Sequence, residues 1–334
     1  MNATINLEKK HFPVLLNELI SIISPLYGGS FIDCTFGQGG YSKKILENKN
    51  NKVIALDRDK DVYLYAKELV KNYKEKFKFY NLKFSQINNI NLENEKIKAV
   101  IFDLGYSINQ IKNFNRGFSF ESKGKLNMKM GINEFSSHEV ILNMSEINLY
   151  KIFKFFGEEK YSKIIARKII KTRNTKTINT EDLVKIIDSV KKFKYSKKNN
   201  STKVFQALRI FVNKEVSELI YGLIGAFNTL PIGGMLAVVT FHSLEDRIVK
   251  FFFKNYSESK NSSRYIPEKK ENVKCFKLSQ KKPIIPSFEE IEKNPPSRSA
   301  KLRYVIKVND QCNFDEFINK FKHLTDIEDL KFDK

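Results

Sequence analysis

Two kinds of segment alternate along the first hundred residues. Short apolar runs, typical of buried strands, are separated by stretches in which apolar residues recur at helical spacing. In chain order, the predicted elements are a helix at 12–27, a strand at 30–36, a helix at 41–48, a strand at 52–57, a helix at 61–73, and strands at 76–84 and 98–104. This alternation predicts a parallel sheet with helices on both faces.

The alternation stops after the fourth strand. Residues 107–133 lack a clear period, and the pattern from 136 to 190 is helical and polar. A long helix is then predicted from Lys203 towards Leu223. The later predicted elements are a strand at 235–241, a helix at 243–254, a long polar loop at 255–298 and a strand at 301–308.

The simplest architecture is one interrupted α/β domain. The expected fold is a Rossmann-like, mostly parallel, doubly wound sheet with an inserted helical domain. Its core would comprise residues 1–107 and 201–334, and the insert residues 108–200.

The charge balance suggests a polyanionic partner. The 334 residues include 59 Lys and Arg against 38 Asp and Glu, which gives a net charge of +21. Such an excess is typical of proteins that bind nucleic acid. Only nine of the basic residues are Arg, and an AT-rich genome produces the same drift towards Lys, so charge alone does not decide the partner.

Other features argue against a secreted or membrane protein. The first ten residues have no apolar core, and no run approaches the ~18 apolar residues of a membrane span. Cys34, Cys275 and Cys312 lie far apart in sequence and form neither a zinc pattern nor a disulfide framework. We expect a cytoplasmic protein with reduced cysteines and no metal.

A glycine-rich turn follows the first strand. In DCTFGQGG, at 33–40, glycines let the backbone turn sharply and approach a ligand closely. Asp57 ends the second strand, 20 residues after Gly37, a spacing that lets a carboxylate bind both hydroxyls of a ribose. A tight turn with a surface Asp is the simpler alternative, and the paired spacing favours nucleoside binding.

The kind of nucleoside follows from the same segment. The third glycine of the dinucleotide fingerprint is replaced by Ser42, and an acidic residue such as Asp33 is a poor neighbour for a pyrophosphate. A cationic ligand fits better. S-adenosylmethionine carries a sulfonium and an ammonium group and satisfies both observations.

The fourth strand ends in Asp103-Leu104-Gly105-Tyr106, where such sheets place their chemistry. A carboxylate there can accept N–H bonds from the exocyclic amine of a base, and an aromatic ring can stack on a flipped base. The segment lacks the two prolines that usually accompany this arrangement. A strand end with a core Tyr is an equally good interpretation of these residues.

Two further segments carry reactive side chains. In RGFSF, at 116–120, the Arg can bind phosphate and the two Phe rings can stack on bases. The segment can equally pack against the sheet. FHSLEDR, at 241–247, follows an apolar strand, and its His and Ser are more often structural and helix-capping than catalytic.

Taken together and in order, these segments resemble one family. They are HFPVLL at 11–16, DCTFGQGG at 33–40, DRD at 57–59, DLG at 103–105, RGFSF at 116–120, LNMKM at 126–130, FQALRI at 205–210, FHSLEDR at 241–247 and RSAKLR at 298–303. From about residue 11 to 307 the chain resembles the RsmH/MraW family of S-adenosylmethionine-dependent 16S rRNA cytosine-N4 methyltransferases.

The resemblance implies a reaction and a site. The reaction is methylation of the N4 amine of a decoding-centre cytosine, numbered 1402, on the small ribosomal subunit, and the insert would hold the RNA. Asp103 would orient the amine, Asp57 would bind the ribose, and Phe84 would flank the adenine. The implied cofactor contacts are Gly39, Gly40, Tyr41, Asp57, Phe84, Asp103 and Gln110. No metal is needed, because positioning supplies most of the rate of a methyl transfer.

The chain departs from the family pattern in places. The family usually has His where Tyr41 stands, so only a backbone contact can be kept there. It has a small apolar residue where Tyr106 stands and Asp where Asn127 stands.

The scarcity of arginine gives another prediction. Six of the nine arginines lie inside the family segments, and we expect them to use the planar guanidinium fork, some on RNA phosphate and some within the fold. They are Arg58, Arg116, Arg209, Arg247, Arg298 and Arg303.

Two alternatives to the rRNA enzyme stay open. A methyltransferase for another RNA or DNA base would use the same chemistry. A catalytically inactive RNA-binding or ribosome-assembly protein would keep the fold, although it would be expected to lose the Asp and Gly residues of the cofactor site.

Overall fold

Seven strands form a single sheet in the structure, a computed structural model. The described residues are 13–24, 27–93, 95–107, 110–111, 113–122, 124–131, 133–191, 199–257 and 274–332. The sequence-based predictions that include residues 11, 12 and 108 therefore extend beyond the described residues. Within the described chain the strand order is β3-β2-β1-β4-β5-β7-β6.

The strands from β1 to β5 are parallel, whereas β7 is antiparallel to both of its neighbours, β5 and β6. Their bounds are β1 Gly29–Asp33, β2 Asn51–Leu56, β3 Phe77–Tyr80, β4 Ile97–Asp103, β5 Met235–Thr240, β6 Phe276–Leu278 and β7 Lys301–Lys307. The order reverses between β1 and β4, where sheets of this kind bind ligands beyond the carboxyl ends of their strands. The predicted fold class is confirmed.

Helices cover both faces of the sheet. Their bounds are α1 Leu16–Ile23, α2 Gly40–Leu46, α3 Tyr63–Tyr73, α4 Ser137–Asn143, α5 Glu146–Phe155, α6 Ser162–Arg173, α7 Thr180–Val190, α8 Thr202–Asn213, α9 Glu215–Thr229, α10 Ser243–Asn255, α11 Phe288–Lys293 and α12 Asp315–Glu328. None of the helices in the described ranges is long and apolar enough to cross a membrane.

Alternate residues of each strand pack on opposite faces. Along β4, Ala99 and Ile101 belong to a core with α1, α2 and α3. Val100 and Phe102 belong to a second core, which α9, α10 and α12 cover. Both faces of the strands are therefore buried, which explains their continuous apolar runs.

The four helices α4 to α7 occupy the region predicted to be helical. Ser136 begins α4 with a reciprocal cap to Glu139, and Asn179 begins α7 in the same way with Asp182. Their apolar faces join the second core rather than forming a separate one. The division into a core and an insert at 108–200 stays a prediction.

Two element predictions are wrong in detail. The helix expected from Lys203 to Leu223 is two helices, because Lys214 adopts a left-handed conformation with φ of 50° between α8 and α9. The loop expected at 255–298 contains β6 and α11 within its described part, 274–298.

The cysteine prediction also needs correction. Cys275 and Cys312 form a disulfide with their Cα atoms 6.2 Å apart, although 37 residues separate them in sequence. The bond joins the residue before β6 to the segment before α12. Sequence spacing missed it because the pairing depends on how the last strands and α12 pack.

Candidate active site

The carboxyl ends of β1, β2, β4 and β5 meet at one edge of the sheet. Asp33 is the last residue of β1 and Asp103 the last of β4, while Asp57 directly follows β2. Phe241 directly follows β5. The residues singled out from sequence on four separate strands are therefore brought to the same edge.

The glycine turn after β1 is held by a buried carboxylate. Asp33 Oδ2 accepts a hydrogen bond from Ser42 Oγ at 2.7 Å, and Oδ1 accepts one from the Thr35 N–H at 3.3 Å. Burial raises the pKa of Asp33 to about 6, against the lowering effect of these bonds. Gly39 has φ of 76°, and a Cβ there would lie 2.7 Å from the Phe36 ring, so the turn requires glycine.

The Tyr41 side chain contacts the segment before α1. Its side chain is buried, and its hydroxyl donates to the Val14 carbonyl oxygen, in the segment before α1. The same segment packs closely against Gly40, because a Cβ at that position would lie 2.1 Å from Pro13 Cγ. Tyr41 is therefore a packing side chain, and the backbone at its position is what faces the turn.

Asp57 joins the ends of β1 and β2. Its Oδ2 accepts from the Gly37 N–H at 2.8 Å, and its Oδ1 accepts from the Asp59 N–H at 2.8 Å. Burial raises the pKa of Asp57 to about 6 despite these two bonds. Each carboxylate oxygen keeps a second lone pair, so two ribose hydroxyls can still donate to it.

Gln110 reaches the site through Asp59. Its Nε2 donates to Asp59 Oδ2 at 2.5 Å, and its Oε1 accepts from the Ser107 N–H at 3.0 Å. Arg116 Nη1 also binds Asp59 Oδ2, at 2.6 Å, and Asp61 Oδ2, at 2.8 Å. The Gln110 side chain and the Arg116 guanidinium thus position the loop after β2.

Phe84 lies in the short turn after β3, and its ring is committed to the core. It packs edge-on against Phe102 of β4, with ring centroids 5.3 Å apart. Gly222 of α9 lies against its other side, because a Cβ at Gly222 would be 2.5 Å from Phe84 Cδ2. The ring is therefore partly buried by these contacts, and its place beside an adenine stays a prediction.

Asp103 differs from the other carboxylates at this edge. Its N–H donates to Thr35 Oγ1 at 2.6 Å, which ties the end of β4 to the glycine turn. Its Oδ1 is buried, and no group among the described residues donates a hydrogen bond to it. Burial, followed by the charges of Asp33 and Glu245, raises the pKa of Asp103 well above its usual value.

A charged cluster borders Asp103 on the β5 side. Arg209 of α8 binds Glu215 through two parallel bonds, Nε to Oε1 and Nη2 to Oε2, both 2.8 Å long. Its Nη2 also lies 3.9 Å from Glu245 Oε1. Burial opposes the charge on Glu245, but His242 and Arg209 hold its pKa below the usual value.

Glu215, His242 and Glu245 each offer a ligand atom within 4.8 Å of the others, as a metal site would require. Arg209 already forms a forked ion pair with Glu215 and lies close to Glu245, so a guanidinium offsets part of the negative charge of this cluster. His242 caps α10 together with Glu245. The cap of α10 is therefore His242, whereas the sequence interpretation assigned the capping role to Ser243, whose hydroxyl instead donates to Glu158. Sequence reasoning also missed the junction with Arg209.

Comparison with known proteins identifies the family. The model of the MraW methylase family matches residues 8–308. The chain belongs to the MraW methylase family. The resemblance seen in the sequence is thereby confirmed, with the methyltransferase activity and its methyl donor S-adenosyl-L-methionine.

Individual family members are similar over almost their whole length. The ribosomal RNA small subunit methyltransferase H of Ehrlichia canis (strain Jake) is 43% identical over 303 residues, covering 89% of this chain and 100% of that protein. The protein of the same name from Rickettsia bellii (strain OSU 85-389) is 41% identical, covering 90% and 100%. Among solved structures, a Streptococcus mutans protein in complex with SAH is similar with a TM-score of 0.39 and 12% identity, covering 87% of this chain and 97% of that one.

Proposed function

We propose that this methyltransferase acts on the N4 amine of a cytosine in 16S rRNA, at position 1402 in the decoding centre of the small ribosomal subunit. The name shared by its relatives, ribosomal RNA small subunit methyltransferase H, supports the RNA substrate. Action on ribosomal subunits would place the protein in the cytoplasm. The observation that carries the choice of an amine is the buried, unpartnered Oδ1 of Asp103.

An exocyclic amine supplies what Asp103 lacks. An unpaired buried acceptor is costly, and a donor that reaches it is correspondingly favoured. The two N–H groups of a cytosine N4 amine can donate to this carboxylate. That interaction draws the nitrogen lone pair out of conjugation with the ring and directs it away from the carboxylate.

The remaining carboxylates fit a cationic nucleoside. Asp57 is placed to accept both ribose hydroxyls, and the backbone from Gly39 to Tyr41 lines the turn beside it. Asp33 and Asp103 add negative charge to the same edge, which favours a sulfonium. When bound, S-adenosylmethionine supplies a methyl group attached to a positively charged sulfur.

The chain contributes position and a proton acceptor. As the N–C bond forms, the C–S electron pair remains on sulfur, and the amine must release one proton. Asp103 is the acceptor for that proton, because its raised pKa makes the carboxylate a stronger base than an exposed Asp. The Thr35 hydroxyl oxygen, which accepts the Asp103 N–H, holds the end of β4 in place while this occurs.

We also propose that the helices of region 108–200 bind the RNA. On α6 the exposed residues Lys163, Arg167 and Lys171 recur every four residues and form one basic face. Lys residues at that spacing track a phosphate backbone. Replacing Lys163 and Lys171 with Glu is expected to weaken subunit binding and reduce its salt dependence, without changing cofactor affinity.

Mass spectrometry of rRNA nucleosides tests the proposed reaction. Small subunits lacking the modification are incubated with the protein and S-adenosylmethionine, and the 16S rRNA is digested and mapped. We expect N4-methylcytidine at position 1402 with the wild-type protein and none with Asp103→Asn. Methylation of another base, or of duplex DNA in a parallel reaction, would contradict the proposal.

A further inference from the structure

An exposed aromatic ring lies in the loop that follows β4 and Asp103. Tyr106 follows it by three residues, and 48% of its surface is exposed. The Arg209 guanidinium lies over the ring, 4.7 Å from its centroid. The Phe118 ring is nearly parallel to it, at an interplanar angle of 23° and a centroid distance of 6.2 Å. Tyr106 is therefore fixed by its neighbours while much of its surface remains open.

Arg209 is itself held rigidly. It is 5% exposed, and its fork binds both carboxylate oxygens of Glu215 while Glu245 lies close by. A buried guanidinium with this many partners cannot follow a moving ring. Its guanidinium therefore fixes the position of the Tyr106 ring that it contacts.

The Phe118 ring, which packs beside Tyr106, is itself held by residues near the predicted cofactor site. Arg116 lies over the Phe118 ring, 5.4 Å from its centroid. Its Nη2 donates to the Lys129 carbonyl oxygen at 2.7 Å, and its Nη1 binds Asp59. Asp59 in turn donates its N–H to Asp57. A continuous set of contacts thus runs from the predicted ribose carboxylate to the Tyr106 ring.

We propose that the target base stacks on Tyr106 with its amine directed at Asp103, and that Arg209 is a positioning residue for the ring. The inference rests on the proposed function, since it assumes a flipped base beside Asp103. A base removed from its own stack needs another surface, and an aromatic ring provides one. Because Tyr106 is already fixed, little conformational freedom is lost when the base binds.

The first test is kinetic. Tyr106→Ala is expected to raise KM for unmethylated small subunits about 5- to 150-fold, the range for loss of one base–aromatic stack. Affinity for S-adenosylmethionine should stay at the wild-type value. Tyr106→Phe keeps the ring and should recover most of the lost affinity. Tyr27→Ala, which removes a tyrosine that is 90% exposed just before β1, at the opposite end of the sheet, is the matched control.

The second test detects stacking without methylation. A hairpin RNA carrying the fluorescent analogue pyrrolocytidine at the target position is titrated with each protein. We expect quenching with the wild type and Tyr106→Phe, and at most weak quenching with Tyr106→Ala. Equal quenching by all three would overturn the stacking role, even if the wild type methylates the subunit. Quenching that depends on Tyr106, with no N4-methylcytidine formed, would refute the proposed reaction but retain the stacking site.

A double-mutant cycle tests Arg209. Lysine keeps the charge but loses the fork, so Arg209→Lys should raise KM for subunits in the wild-type background. In the Tyr106→Ala background the same change should have little further effect on KM, because the ring that Arg209 positions is gone. An equal rise in both backgrounds would show that Arg209 does not act through Tyr106.

Discussion

Asp57 and Asp103 lie at the same edge of the sheet, are both partly buried, and both have raised pKa values, yet they differ in their hydrogen bonds. Both carboxylate oxygens of Asp57 accept backbone N–H groups of the chain itself. Asp103 Oδ1 accepts nothing from the described residues. In the proposed reaction, the ribose carboxylate is thus held by the chain before the cofactor binds, whereas Asp103 keeps an acceptor for the substrate amine.

The largest effect is expected at Asp103. Asp103→Asn keeps the shape of the side chain but removes the charge that accepts the amine proton, so kcat should fall about 10²- to 10⁴-fold. Methyl transfer to small subunits from a labelled cofactor measures it. Because a buried, unpartnered charge is removed, the melting temperature should not fall. Near-normal turnover at saturating cofactor would contradict the assigned role.

A smaller effect is expected at Asp57. Asp57→Ala removes the ribose acceptor and leaves the Gly37 and Asp59 N–H groups unpaired, so cofactor affinity should fall by about 1–3 kcal/mol, or roughly 5- to 150-fold. Calorimetric titration with S-adenosylmethionine measures the loss. Glu75→Ala, at an exposed acidic residue after α3, is the control. Wild-type affinity in Asp57→Ala would remove Asp57 from the cofactor site.

The raised pKa values predict a pH dependence of cofactor binding. Asp33 and Asp57 have pKa values of about 6, so they take up protons as the pH falls through 6. A bound sulfonium favours their charged forms, so binding releases protons. The affinity for S-adenosylmethionine should therefore fall as the pH decreases below about 6. The fall should be up to roughly tenfold per pH unit for each carboxyl group, and the affinity should be constant at higher pH.

Calorimetry from about pH 5 to about pH 8 checks this slope. S-adenosylhomocysteine, whose sulfur is neutral, is the matched ligand and should show a shallower dependence. Equal slopes for the two ligands would mean that the buried carboxylates do not respond to the sulfonium.

The smallest effect is expected at Thr35, which joins the glycine turn after β1 to the end of β4. Thr35→Val removes the oxygen that accepts the Asp103 N–H, at a cost of about 1 kcal/mol in the free energy of unfolding. Thr35→Ser keeps that oxygen and serves as the control. Thermal unfolding should rank Thr35→Val below both Thr35→Ser and the wild type, and identical melting temperatures would show that the bond contributes nothing.

Local patterns predicted the strands and the glycine turn because each depends on residues close in sequence. Asp33, Asp57 and Asp103 were found for the same reason, since a strand end is recognisable without knowledge of packing. The orientation of a side chain is a different question. The Tyr41 hydroxyl donates to the Val14 carbonyl oxygen and the Phe84 ring packs against Phe102, contacts that no local pattern predicts. The places of Tyr41 and Phe84 beside the cofactor stay predictions.

The arginine prediction shows the same limit. Arg209 and Arg303 do form forked pairs, with Glu215 and Asp246 respectively. Arg116, for which contact with RNA phosphate and packing within the fold were both open, binds Asp59 and Asp61. The sequence indicates that a guanidinium is needed, but the partner is decided by distant segments that folding brings together. The bond between Cys275 and Cys312 was missed for that reason.

The placement of β5 has a consequence for synthesis on the ribosome. Asp103 is paired in register with Val239, which is 136 residues later in the chain. At about 5–20 residues per second, the nascent chain carries β4 with one edge unpaired for roughly 7 to 27 s. An open edge of a hydrophobic strand is a template for pairing with other chains. The side of β4 that later pairs with β5 is therefore a part of the newborn protein that needs protection from aggregation.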